Sequence, residues 1–436
     1  GIAFQYDADS LLTQAGALVL SRSPQNGLLT GTVLGGVVDT WITNAFGEPT
    51  GYSALFNTAP LYTLQMERDP LGRISRKVET IGGATTVYSY TYDLVGRLAS
   101  VRKNGVAVET YTYDANSNRL TATGVGGPRI GVYDAQDRLT QYGVTTYSYT
   151  AAGELATKTA GAQTTTYSYD ALGNLLGVTL PDGTAITYLV DGQGQRIGKA
   201  VGGVLVQGFL YESDLRPIAE LDGAGAVVSR FVYATHPNVP EYLVKGSMTY
   251  RILTDLVGSP RLVVETTTGV VAQRMDYDSF GNVVTDTNPG FQPFGFAGGL
   301  YDPDTRLVRF GARDYDAETG RWTAQDPIRF TAGDTNLYGY VFGDPINRID
   351  PAGLQQVGPK VPGTLPAPKC IDLPATAGKL LIDGLACFGC GFEAAVAAKG
   401  GPDSFGNFLF GGTGGGTFCA SCLSTDDSVV RETCPT

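Results

Sequence analysis

The sequence predicts an all-β chain: a long, curving antiparallel sheet of stacked hairpins, followed by a turn-rich module and a small cysteine-rich one. Three observations predict it. Composition is the first: Gly is 59 and Tyr 24 of 436 residues, charged residues reach only 17%, and Trp and Met are scarce, a mix suited to short strands joined by tight turns. The second is a Tyr-Asp motif that recurs about every 20 residues over the first three hundred. The third is an abrupt change near Gly299 to Asp-Pro and Gly-rich sequence, with all six cysteines after Leu354.

The motif reads Tyr92-Asp93-Leu-Val-Gly96-Arg97-Leu98, then recurs from Tyr113-Asp114, Tyr133-Asp134, Tyr169-Asp170 and Tyr277-Asp278. Weaker copies lie at Tyr6-Asp7, Asp69 to Ile74, Tyr149 to Leu155 and Asp191 to Ile197. Ahead of it, a strand such as Thr86 to Tyr92 alternates so that its tyrosines share one face. Asp opens a turn, Gly or Asn supplies positive φ, and Arg-Leu starts the return strand. One such hairpin cannot bury its aromatic face, so neighbours must stack into a continuous sheet. A lone Tyr-Asp pair is an ordinary strand end; the series is a repeat. Its structural role accounts for these residues, and no binding site is assigned to them.

Charge and residue inventory exclude several functions. A net charge of −11 argues against phosphate-backbone binding by the main body, which needs clustered Lys and Arg. His236 is the single histidine, so His-based metal sites and Ser-His-Asp or Cys-His catalysis are not expected. No run of 18 apolar residues marks a transmembrane helix. The start at Gly1 has no signal-peptide pattern, so a longer parent protein is expected.

From Leu300 to Leu354 the chain carries Arg313-Asp314-Tyr315-Asp316, Gly320-Arg321-Trp322, Gln325-Asp326-Pro327, Asp344-Pro345 and Asp350-Pro351-Ala-Gly353-Leu354. Pro fixes φ and Asp bonds to the following backbone, which makes this a turn-rich module. By spacing alone, Asp314, Asp316, Asp326, Asp344 and Asp350 read as turn and cap residues.

The repeats resemble the YD repeats of Rhs proteins, of toxin-complex C components and of teneurins, and residues 300–354 closely resemble the Rhs-associated core domain, which ends in Asp-Pro-x-Gly-Leu. The resemblance implies a hollow β-shell over 1–298, an autoproteolytic core at 299–354, and a variable C-terminal cargo at 355–436. It further implies an aspartyl-protease-like site that cuts the Leu354–Gln355 bond in cis, once per chain. The family's Arg-Asp pair falls on Arg313 and Asp314 and its second aspartate on Asp326. Many core modules carry Tyr where this chain has Asp314, so the cleaving form is expected. Two close carboxyls share a proton, one acting as base toward water and the other as acid, while Arg313 orients a carboxylate or stabilises the oxyanion. The turn formed by Asp350, Pro351 and Gly353 is expected to present the bond, with Leu354 in an apolar pocket.

After Leu354, a Pro-rich linker from Val357 to Pro368 precedes the cysteines. Cys387, Cys390, Cys419 and Cys422 form two Cys-x-x-Cys pairs, flanked by Cys370 and Cys434. Disulfides, a tetrahedral zinc and free thiols all fit this pattern; no other cofactor is expected. The implied partners are the chain's own C-terminal segment as enclosed cargo, a missing N-terminal region or companion shell component, and an immunity protein. Secretion or surface display by bacterial export is implied by the same resemblance. The rival expectation is a non-cleaving, teneurin-like or wall-associated adhesion protein with a purely structural core.

Overall fold

The computed structural model describes residues 1–124 and 126–358. Twenty-eight strands, from Phe4–Tyr6 to Val283–Asp286, form one antiparallel sheet, each paired with its neighbours in sequence. The order is that of a continuous meander, as the repeat predicts.

The turn at Asp93 shows why the motif has its residues. Asp93 Oδ1 accepts the N–H groups of Val95 (3.1 Å) and Arg97 (2.9 Å), and Oδ2 accepts Arg97 Nε at 2.7 Å. Gly96, at φ +97°, completes the reversal. In two units the left-handed residue is Ser117 or Asp137, not the expected Gly or Asn. Asn118 instead donates its side-chain amide to Asp114 Oδ2 at 3.0 Å, doing the work of Arg97.

Three of the motif tyrosines reach back to the preceding hairpin. The hydroxyls of Tyr92, Tyr113 and Tyr133 donate to the carbonyls of Ile74 (2.7 Å), Leu98 (2.9 Å) and Arg119 (2.9 Å). Arg73 and Arg97 lie over the next unit's rings, Tyr92 and Tyr113, at 4.5 and 4.7 Å. The motif is thus a staple between successive hairpins. Tyr113→Phe keeps the ring and loses one hydrogen bond; a cost of about 1 kcal/mol is expected, read as a lower urea midpoint at unchanged slope.

The sheet curls until early and late strands face one another. Leu18, Leu20 and Leu34 pack with Val232 and Tyr242, Tyr52 and Leu64 with Leu253 and Leu262, and buried Arg251 meets Asp39 at 2.7 Å. After Asp286 a separate four-stranded sheet is built from Leu300–Tyr301, Leu307–Phe310, Arg313–Asp316 and Arg321–Trp322.

This second sheet is gripped by the repeats. Asn118 Oδ1 accepts Arg321 Nη1 and Asn336 Nδ2, both at 2.8 Å, and Tyr338 donates to the Gly153 carbonyl at 2.7 Å. Lys199 Nζ reaches Asp302 at 2.6 Å. Phe296, Phe310, Tyr315, Trp322 and Tyr340 form its aromatic core. No helix among the described residues is long and apolar enough to cross a membrane. The six cysteines lie outside the described residues.

Candidate active site

The Arg313–Asp316 strand is buried along its length, and its side chains must alternate between two faces. Arg313 and Asp314 therefore diverge. Asp314 Oδ1 meets Arg196 at 2.9 Å and Oδ2 meets Arg309 at 3.0 Å, so both of its oxygens are held by guanidinium groups. The expected pairing of Asp314 with Asp326 is not what the fold assembles.

Arg313 instead joins Asp326 to Asp350. Its Nη2 lies 2.8 Å from Asp326 Oδ2 and 3.3 Å from Asp350 Oδ2. Nε donates to the Gly353 carbonyl at 2.6 Å, and the guanidinium sits 4.2 Å from the centre of the Trp322 ring. These contacts fix its plane.

The Asp-Pro-Ala-Gly-Leu segment docks on the turn that joins Leu307–Phe310 to Arg313–Asp316. Ala312 N–H donates to the Ala352 carbonyl at 2.9 Å, and Gly353 N–H to the Asp350 carbonyl at 3.2 Å. Gly353 has φ +64°, and a Cβ there would stand 2.4 Å from the Phe310 carbonyl oxygen. The motif's glycine is thus required for both conformation and space.

Asp350 Oδ1 accepts the N–H groups of Leu354 (3.0 Å) and Gln355 (3.2 Å). A carboxylate thereby touches the nitrogen of the Leu354–Gln355 bond. Beyond that bond, Ile349 and Val357 exchange two backbone hydrogen bonds of 2.9 and 2.7 Å, which brace the segment from both ends. Half-buried Leu354 and exposed Gln355 line a cleft of about 330 Å³ together with Arg313, Asp326 and Asp350.

Burial raises the carboxyl pKa of both Asp326 and Asp350, with Arg313 pulling each back. Burial also lowers Arg313, against the pull of the same two carboxylates. One guanidinium can neutralise only one of them. A single proton on the pair leaves the buried cluster neutral, which is the state low-dielectric surroundings favour. The sequence marks Asp350 as a turn residue of the Asp-Pro-x-Gly-Leu motif; the fold also sets its carboxyl against the Gln355 nitrogen.

The teneurin YD-shell family model matches residues 2–346. Teneurin-3 of Danio rerio is 30% identical over 307 residues, 66% of this chain and 11% of that protein. Double-stranded DNA deaminase toxin A of Burkholderia cenocepacia (strain H111) is 29% identical over 388 residues, 79% of this chain and 26% of the toxin. The chain thus spans about a tenth to a quarter of these relatives. Among solved structures, the TcdB2-TccC3 crystal structure shares the fold at 18% identity and a TM-score of 0.50, over 81% of this chain and 22% of that one. With the family model covering both the meander and most of the module after it, the chain belongs to the teneurin YD-shell family.

Proposed function

We propose that this chain is the shell portion of a toxin-type YD-repeat protein that hydrolyses its own Leu354–Gln355 bond and carries the segment from Gln355 onward as cargo. The observation that carries this reading is the contact of Asp350 Oδ1 with the Gln355 nitrogen at 3.2 Å, in a cleft where Asp326 and Arg313 complete a carboxyl pair with one guanidinium. Similarity to a DNA deaminase toxin favours the toxin class. Companion shell components, an immunity protein and bacterial export belong to this proposal.

Asp326 takes the proton of the attacking water, whose oxygen bonds to the Leu354 carbonyl carbon. Once water has added, the Gln355 nitrogen is tetrahedral with a free lone pair. Asp350, carrying the pair's proton, delivers it to that nitrogen as the C–N bond breaks, leaving a Leu354 carboxylic acid and a Gln355 amine, between which a proton then passes. Arg313 is a positioning residue that keeps one carboxyl ionised beside one that is protonated. Because the bond is tethered in the cleft, effective concentration is high and one turnover suffices.

The active state holds one proton on two carboxyls, and both are raised by burial. Cleavage of denatured, uncut chain on refolding should therefore be fastest in mildly acidic buffer. It should slow as pH rises through the raised carboxyl pKa, and again in strong acid when both carboxyls are protonated. A denaturing-gel time course across pH measures this; a rate independent of pH would remove the shared-proton mechanism.

A second reading, a non-cleaving surface protein with a structural core, is favoured by the 30% identity to teneurin-3. The two differ in whether the mature chain is cut.

A further inference from the structure

Two turns of this chain have the same four residues, Asp-Leu-Val-Gly, at 93–96 and at 255–258. In the first, Leu94 and Val95 are exposed, and Arg97 holds the second carboxylate oxygen of Asp93. The second copy is turned inward. Val257 is buried, Leu256 packs on a hydrophobic cluster, and Ser259 stands where the first copy has Arg97. Ser259 Oγ is engaged by the Ala297 N–H at 3.0 Å.

Asp255 Oδ1 caps its own turn, accepting Val257 N–H at 3.1 Å and Ser259 N–H at 2.8 Å. Oδ2 has no donor among the described residues. Asp69, Asp93, Asp114, Asp134, Asp170 and Asp278 each have the second oxygen held by an Arg or Asn four residues on, whereas Asp191 and Asp222, like Asp255, cap through Oδ1.

Asp255 lines an open cleft between strands of the meander and the segments around Phe296 and Ile346. Met66, Tyr88 and Tyr90 form one wall and Phe296 and Ile346 another; the two tyrosine rings are nearly parallel, with centroids 6.4 Å apart. The charges that line it do not balance. Arg261 pairs with Glu79 at 3.0 Å and with Asp276 at 2.7 Å, the latter shared with Arg274 at 3.0 Å; Lys77 lies 3.8 Å from Glu79 and over the Tyr88 ring, with Lys103 5.9 Å from the same ring. Glu109, Asp255 and Asp278 also line the cleft. Burial, opposed by Lys77 and Arg261, raises the Asp255 carboxyl, and burial together with Glu109 pushes Asp278 up to about 6.

We infer that this cleft is a binding site for a small organic cation, an ammonium or amidinium on an apolar or aromatic body, with Asp255 Oδ2 as its counter-ion. An aromatic wall favours a cation through the ring quadrupole, and an apolar body replaces water against Met66 and Ile346. Partly exposed Lys77 and Tyr88 at the rim leave a route in. The site is independent of the carboxyl pair at Leu354.

Isothermal titration of the full chain with phenethylamine and benzamidine tests this, with benzyl alcohol and benzoate as neutral and anionic controls. The cations should bind and the controls should not. Asp255→Asn should weaken cation binding at least tenfold, whereas Asp93→Asn, in the matching surface turn, should leave it unchanged. Asn keeps the capping oxygen, so the fold is expected to survive, as a retained thermal transition checks. Ile346→Trp, which fills the cleft from the opposite wall, should abolish binding without touching a charge. Absence of cation binding to the wild type, or equal binding to wild type and Asp255→Asn, overturns the inference.

Discussion

Asp350→Asn is expected to fold normally and remain uncut. The amide preserves the shape of the group that caps Leu354 and Gln355, so the turn persists, but it cannot deliver a proton to the departing nitrogen. Loss of a positioned acid or base typically lowers a rate by about 10²–10⁴. For a reaction observed once per chain, that loss turns complete cleavage within a preparation into little or none. Asp326→Asn should behave in the same way through loss of the base. Intact mass and the thermal midpoint, measured on the same sample, separate a chemical defect from a folding one.

Asp314 should show the opposite signature. Its carboxylate stands between Arg196 and Arg309, all three being at least nine-tenths buried, so Asp314→Ala leaves two buried guanidinium groups without their shared counter-charge. Removing one partner of such a cluster costs about 3–5 kcal/mol, which should lower the thermal midpoint by roughly 5–10 °C. Cleavage should be lost only as far as folding is lost, and lowering the temperature should restore it. An Asp314→Ala chain that is fully folded and uncut would return Asp314 to the chemistry.

The repeat was legible because its chemistry is local. An Asp that accepts the N–H groups two and four residues on, followed by a positive-φ position and an Arg or Asn, closes a turn with no help from elsewhere in the chain. What the repeats do for the module after Gly299 was not legible. Asn118 and Arg321 are 203 residues apart, and only the curl of the sheet brings them together.

The site was half legible for the same reason. Arg313 and Asp314 are adjacent on a strand, and the two-residue period already forbids them a common face. The partners that hold Asp314, Arg196 and Arg309, come from separate segments and leave no pattern. Asp350 was visible as a turn former. An Asp accepting the N–H groups four and five residues on also sets its carboxyl on the nitrogen of the bond after Leu354, a consequence of the motif that the fold makes explicit.

Self-hydrolysis at one bond is the central claim, and intact mass of the purified full-length chain under denaturing conditions tests it most directly. The account predicts two polypeptides, one ending at Leu354 and one beginning at Gln355, whose masses sum to that of the uncut chain plus one water. A single uncut chain, recovered after incubation across mildly acidic to neutral pH, would contradict it and leave the second sheet with a structural role alone.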